Sequence, residues 1–321
     1  MVQVTVPSFA KLNLDLRVLC KRPDGYHELR TIFQTISLAD RLTIGFECAK
    51  RTEIELACSA DIPDNLVIRA AQCVLDHLKL TARVHFRLDK RIPLGAGLGG
   101  GSSNAAAVLL ALPVLADSQI DPQNWVRMAE SLGSDVPFFL QGGTAVGLGR
   151  GSEVYPLPDQ PARSALVVAS GIHVSTAEAY AALKRPLADP LTSLAQSPIL
   201  GEFQTIAWGL HASGPEQLPL KNDFEQVVFQ IHPELSAIVQ KLRKLGANPA
   251  LMTGSGSAIF GLFADSDQAR AAADQFSPGT AFPVRFLSRR RYQRAWKLAL
   301  NGKITLWEAG LPPSLNQNVG S

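Results

Sequence analysis

Pro93-Leu94-Gly95-Ala96-Gly97-Leu98-Gly99-Gly100-Gly101-Ser102-Ser103-Asn104-Ala105 is the stretch on which the fold turns. Five of the seven residues from Gly95 to Gly101 are glycine. A backbone without Cβ atoms reaches positive φ cheaply and lets a ligand come close. An Ala/Leu-rich segment at helical spacing starts near Ser103. The loop therefore feeds a helix whose first N–H groups are unpaired and carry the positive end of its dipole. Phosphate is the guest that suits such a place. A flexible turn between strand and helix is the competing reading, but so many glycines would weaken a turn with no return.

Two known phosphate motifs can be compared with it. Gly95-Ala96-Gly97-Leu98-Gly99-Gly100 satisfies G-x-G-x-x-G, which should lead to an acidic residue at a strand end about 20 positions on. Asp117 is near that distance but lies between Pro113 and Pro122. For the Walker A pattern, Gly95 and Gly100 are correctly spaced, yet Gly101 stands where the lysine belongs. The loop supplies backbone donors and no cation, so the positive charge has to come from elsewhere in the chain.

Around the loop, strand and helix patterns are intermixed. Val2, Val4 and Val6, then Leu12, Leu14, Leu16 and Val18, alternate as in strands. Pro23-Asp24-Gly25 marks a turn. Residues 42–46 and 84–88 alternate again, and Asn65 precedes a helical pattern that runs to Leu78. Further on, strands are expected at 165–169 and 258–263, and helices at 176–183 and 235–245. Residues 186–219 are rich in Pro, Ser and Gly and read as looser. Without the regular alternation of a doubly wound sheet, the pattern is α+β, with a domain boundary near 156–161.

Composition narrows the function classes. A chain of 321 residues, 46% hydrophobic and 18% charged, suits two globular domains with sizeable cores. Seven of the 31 Lys/Arg but one of the 28 Asp/Glu fall from Arg285 onward, so the body is slightly acidic and the basic character belongs to the tail. A nucleic-acid-binding body would show the opposite sign. Cys20, Cys48, Cys58 and Cys73 lie far apart and read as buried free thiols in a reducing cytoplasm. His27-Glu28 begins an H-E-x-x-H pattern, but Thr31 replaces the second ligand. There is no G-x-S-x-G elbow either, so neither a metalloprotease nor a serine hydrolase is supported. No leader peptide is visible and the most apolar run, 105–112, is too short to span a bilayer. The expectation is a cytoplasmic protein with no membrane contact.

Three segments, read with the loop, form a specific pattern: Ala10-Lys11-Leu12-Asn13-Leu14, Gly133-Ser134-Asp135-Val136-Pro137-Phe138-Phe139 and Met252-Thr253-Gly254-Ser255-Gly256-Ser257. Together they resemble the GHMP kinase superfamily. Asp24-Gly25-Tyr26-His27-Glu28-Leu29 and Asn222-Asp223-Phe224-Glu225 narrow the resemblance to members that phosphorylate a cytidine-diphosphate-linked sugar alcohol. The matching segments span roughly residues 5–265. Ser134 stands where alanine is usual and Asn104 where aspartate is common, neither changing charge at the reacting centre.

The resemblance implies a two-domain α+β fold: a ribosomal S5 domain 2-like N-terminal domain over 1–158, an α/β-plait C-terminal domain over 159–288, and a basic C-terminal extension, 289–321. It implies transfer of phosphate from ATP to a tertiary 2-hydroxyl in non-mevalonate isoprenoid precursor biosynthesis. Another alcohol, such as homoserine or mevalonate, is the alternative substrate. A binding protein without turnover, or an RNA binder on the S5-like fold, is a further reading that Lys11 and Asp135 oppose. Residue by residue, Asp135 is assigned to the acceptor hydroxyl and Lys11 to the same centre as the missing cation. Each alone could be an ordinary strand-edge lysine or turn aspartate. Asn13 is expected to orient the acceptor.

The nucleotide is assigned to Pro93, Gly95, Gly97, Leu98, Gly99, Gly100, Gly101, Ser102 and Ser103, with Gly254 and Ser255 from the third motif. Asn65 is either an adenine contact or a helix cap. Mg²⁺ is expected with ATP through Ser102 or Ser103, which could equally cap the helix, and no protein metal ligands are assigned. Tyr26, His27, Thr176 and Tyr180 are assigned to the alcohol substrate: aromatic side chains grip the cytosine and the histidine reads its edge. Core packing is the alternative for all three rings. In the tail, Tyr292, Trp296, Ala299 and Leu300 fall on one helical face beneath Arg289, Arg290, Arg291, Arg294 and Lys297. Packing on the body or a second subunit competes there with contact to RNA, an acidic partner or a membrane surface. The expected partner is the small-molecule substrate, with no membrane, nucleic acid disfavoured, and either a monomer or a homodimer.

Overall fold

The computed structural model describes residues 1–187 and 198–302. Among them, strands form a six-stranded and a four-stranded sheet. In the first, β1 (Val2–Lys21) and β2 (His27–Cys48) are a long antiparallel pair. The strands β3 (Glu53–Cys58), β4 (Ala82–Asp89), β5 (Thr144–Gly149) and β6 (Glu153–Pro156) extend it in the order β3-β4-β2-β5-β6, with β1 on β2. The stretch expected at 42–46 is thus the end of a 22-residue strand. Its first part does not alternate because the run from Thr31 to Ile36 is buried on both faces.

Four helices belong to this half: α1 (Leu66–Leu78), α2 (Gly100–Leu115), α3 (Pro122–Leu132) and α4 (Val136–Gln141). The glycine loop ends in Gly99, whose φ of 69° caps α2, so the helix starts before Ser103. From Ser103 to Pro113 it is buried all round, as a helix apolar on every side must be.

The second sheet contains β7 (Ser164–Val168), β8 (Ala250–Met252), β9 (Ile259–Phe263) and β10 (Ala281–Arg285), antiparallel in the order β10-β7-β9-β8. Around it lie α5 (Thr176–Ala182), α6 (Pro198–Ser213), α7 (Glu225–Ile231), α8 (Pro233–Lys244) and α9 (Ser266–Ala273). Helix α6 corrects the looser reading of 186–219. Phe203, Ile206 and Leu210 recur at helical spacing and are buried, a signal masked by the Pro and Ser residues on either side. Residues 188–197 of that stretch lie outside the described residues.

The basic tail begins as α10 (Arg289–Ala299). It does not project: Tyr292, Trp296 and Leu300 join the core of the first sheet and its helices. The Tyr292 hydroxyl donates to the Phe139 carbonyl. Residues 303–321 of the expected extension lie outside the described residues. A separate apolar cluster fills the seam between the sheets, with Leu12, Leu14, Ile32 and Ile36 of β1 and β2 against Val167, Phe260 and Val284. The long pair β1–β2 therefore serves both halves. The four cysteines are free, but only Cys20 is buried and Cys48 is exposed, which corrects the expectation of uniformly buried thiols. No helix among the described residues is long and apolar enough to cross a membrane.

Candidate functional site

A cleft of about 1010 Å³ opens along β1. Bulges in that strand aim its side chains: the register shifts between Phe9 and Lys11 and again between Asn13 and Asp15. The Lys11 N–H donates to Leu98 O of the glycine loop at 3.0 Å, and the Asn13 N–H donates to Thr253 Oγ1 at 2.9 Å. One strand thereby anchors both loops. The Lys11 side chain is 4% exposed and its Nζ lies 3.2 Å from Asp135 Oδ2. It also donates to Asn13 Oδ1 at 2.6 Å, while Asn13 Nδ2 donates to Thr31 Oγ1 at 2.7 Å. Asp135 stands before the first turn of α4 and is 31% exposed, so water and ligand can reach it.

The glycine loop meets the hairpin tip between β8 and β9 backbone to backbone. A Cβ on Gly97 (φ 75°) would lie 2.3 Å from Thr253 O, and one on Gly254 (φ 61°) 3.0 Å from Gly97 O. The Ala258 N–H donates to Ala96 O at 3.1 Å across the same junction. These glycines are required by close approach as well as by φ.

The opposite wall is aromatic. Gly25 (φ 86°) closes the turn before Tyr26, whose N–H donates to Asp24 Oδ1 at 3.1 Å. Arg22 and Arg30 each donate to Glu28 at 2.6 Å and brace that turn. His27 stacks on Tyr180 with centroids 4.6 Å apart, and Tyr180 meets Phe224 edge-on at 4.8 Å. Tyr26 is half exposed and carries the Arg150 guanidinium 3.8 Å over its ring. The His27–Tyr180 separation leaves no room for a third ring between them, so a planar base has to use Tyr26 or an outer face. Burial, with Lys21 nearby, lowers the His27 pKa. Burial, with the Asp135 carboxylate, raises that of Tyr180.

Lys11, Asn13, Tyr26, His27, Gly95, Gly97, Gly99, Ser102, Asp135, Thr176, Tyr180, Gly254 and Ser255 all line this one cleft. Pro93, Leu98, Gly100, Gly101 and Ser103 do not. Leu98 is buried, and Ser103 is too, its Oγ accepting from the Ser8 hydroxyl at 3.2 Å, which leaves Ser102 as the hydroxyl that faces the cleft. Asn65 caps α1, accepting from the Val67 N–H at 3.0 Å, and lines a second cavity of about 550 Å³ with Ile62 and Ile68. Thr176 bonds Ser255 through their hydroxyls at 2.8 Å, joining α5 to the hairpin tip. Thr31, Phe33, Arg150, His173 and Phe224 also line the cleft, though the sequence gives them no site role. Glycine flanks Arg150 on both sides, a hint of a loop position, whereas Thr31 and Phe33 sit in a strand whose burial hides their role.

Behind the loop, Asp40 is fully buried and accepts from Lys90 Nζ, the Arg91 and Ile92 N–H groups and Asn104 Nδ2. Asn104 thus donates to a carboxylate, which an aspartate there could do only when protonated. The cleft as a whole offers backbone donors for an anion, an ammonium beside a reachable carboxylate, and a planar aromatic surface.

Residues 65–143 match the model of the GHMP kinases N terminal domain, and residues 202–278 that of the GHMP kinases C terminal domain. The chain is 53% identical over 294 residues to 4-diphosphocytidyl-2-C-methyl-D-erythritol kinase of Solibacter usitatus, covering 92% of each. It is similar to a crystal structure of 4-(cytidine 5'-diphospho)-2C-methyl-D-erythritol kinase, with TM-score 0.72, 37% identity and coverage of 88% of this chain and 98% of that one. A homoserine kinase from Cytophaga hutchinsonii shares the fold at TM-score 0.65 and 17% identity, over 89% of this chain and 95% of that one.

Proposed function

This chain belongs to the GHMP kinase family, and from that premise we propose that it moves the terminal phosphate of ATP onto the 2-hydroxyl of 4-diphosphocytidyl-2-C-methyl-D-erythritol, in non-mevalonate isoprenoid precursor biosynthesis. The observation that carries the reading is the Lys11–Asp135 pair at 3.2 Å, lining one cleft with the glycine loop and the aromatic wall.

Phosphoryl transfer needs positioning and charge neutralisation more than covalent help. The triphosphate lies along the Gly95–Gly99 backbone and the start of α2, whose N–H groups suit its oxygens. Asp135 accepts the proton of the acceptor hydroxyl as its oxygen attacks. Lys11, 3.2 Å from Asp135, stabilises charge on the moving group. Asn13 and Thr31 fix the Lys11 ammonium through the bonds already described. Mg²⁺ accompanying ATP would neutralise phosphate charge. Phosphate oxygens would hold it, with the Ser102 hydroxyl in reach of the cleft.

The cytosine is assigned to Tyr26 for stacking and His27 for its edge, the part that discriminates between bases. A nearly neutral histidine, as its lowered pKa implies, offers one donor and one acceptor. An ATP-consumption assay across alcohols tests the reading. Turnover is expected with the cytidylyl alcohol and not with homoserine or mevalonate; efficient turnover of either small acid, without the cytidylyl one, would refute the substrate assignment.

A further inference from the structure

The strand β8 is the edge of its sheet, and an edge strand leaves alternate N–H and C=O groups without a partner strand. Leu251 and Thr253 face β9, where the Thr253 N–H donates to Ala258 O at 3.0 Å. Ala250 and Met252 therefore face outward. Three side chains take the place of the missing strand. Glu225 Oε1 accepts from the Met252 N–H at 2.7 Å, Asn222 Nδ2 donates to Met252 O at 2.7 Å, and Arg243 donates to Ala250 O at 3.2 Å. Asn222 Nδ2 also donates to Gly254 O at 2.9 Å, so one amide grips both ends of the bend that presents Gly254 to Gly97.

The gripping residues are themselves fixed. Asn222 Oδ1 accepts from the Phe224 N–H at 3.0 Å. The adjoining backbone pairs with the bulged part of β1: Leu16 N–H donates to Lys221 O at 2.8 Å, and Asp223 N–H donates to Leu16 O at 3.0 Å. Asp223 Oδ2 accepts from the Val18 N–H at 2.9 Å and from Arg185 at 2.7 Å. The grip on the hairpin is therefore tied to the strand that carries Lys11.

We propose that Asn222 and Glu225 are positioning residues for ATP: they stand in for a strand on the open edge of β8 and hold the Thr253–Gly256 tip at the distance from Gly97 that the triphosphate requires. Neither lines the cleft, so the effect runs through the tip. The inference rests on the ATP-dependent reading above and deepens it.

The test uses the full chain with Asn222→Asp, which keeps the shape but turns a carboxylate on two carbonyl oxygens, and Glu225→Ala, which truncates a partly exposed side chain. ATP binding is measured by equilibrium dialysis, the KM of the cytidylyl alcohol by coupled assay, and folding by circular dichroism. Each variant that folds should bind ATP about tenfold more weakly, the ratio expected for lost buried hydrogen bonds, while the alcohol KM stays within about twofold. Folded variants that bind ATP like the parent would overturn the positioning role, as would equal losses for both substrates. A parent that binds no ATP would overturn the kinase reading itself, a different outcome.

Discussion

Replacing Lys11 by methionine removes one charge and almost no volume, and the structure sets what that should cost. The stem runs close to Gly99, where a Cβ would come within 3.1 Å of Lys11 Cγ, and methionine can follow the same path. Of the three ammonium protons, one goes to Asn13 at 2.6 Å and one faces Asp135 at 3.2 Å, which leaves the third for the phosphoryl group. Loss of a single preorganised charge stabiliser in a water-poor site costs about 3–4 kcal/mol of transition-state stabilisation. That is about a 10²–10³-fold fall in kcat. Asp135 is 31% exposed, so the carboxylate left behind can hydrate, and the loss of folding stability should be only about 1 kcal/mol. A coupled ATP assay gives kcat and urea titration gives stability. A Lys11→Met enzyme within tenfold of the parent kcat, and normally folded, would refute the role given to the ammonium group.

Other consequences follow from single contacts. Gly97→Ala would push a Cβ to 2.3 Å from Thr253 O at a positive φ, so the two loops must part; ATP affinity should fall by more than tenfold, and an unchanged Kd would mean the junction is not part of the nucleotide site. Trp296→Ala should cost about 3–5 kcal/mol in urea titration because α10 belongs to the first core, whereas a loss below about 1 kcal/mol would make the helix an appendage. Burial, opposed by the Met252 N–H and Arg243, pushes the Glu225 pKa up from 4.5 to about 7. A carboxyl raised on folding binds its proton more tightly in the native state, so its stabilising contribution is complete below about pH 4.5 and is lost as pH rises to about 7. Glu225→Gln should therefore flatten the fall in stability across that window, and an identical slope in parent and variant would remove Glu225 as its source.

Much of the site could be read before any coordinates because its chemistry is local in sequence. The glycine loop declares itself within a few residues, whereas the Lys11-x-Asn13 pair and the Tyr26-His27 turn take on a role only beside the other segments of the family pattern. Their convergence on one cleft could not be derived from spacing, since it depends on bulges beside Lys11 and Asn13 that set where β1 aims their side chains. Resemblance to a family supplied that link. Ser102 and Ser103 look equivalent as letters, but adjacent residues on a helix point in different directions, and only one faces the cleft. The segment holding Asn222 and Glu225 stands out as a motif, but what the two side chains hold does not. Their partners are main-chain groups 27–32 residues away, and no side-chain pattern records a backbone contact. At the level of elements, β2 was missed along most of its length because burial on both faces erases alternation, and α6 because proline and serine on its flanks outweighed three well-spaced apolar residues.

Single-turnover transfer from γ-labelled ATP, with both substrates prebound to Asp135→Asn, bears most directly on the account. The amide keeps the shape of the carboxylate but cannot take the hydroxyl proton. The account expects normal binding of both ligands and a chemical step slowed by about 10²–10⁴-fold, the usual worth of a positioned general base. Transfer within tenfold of the parent rate would contradict it.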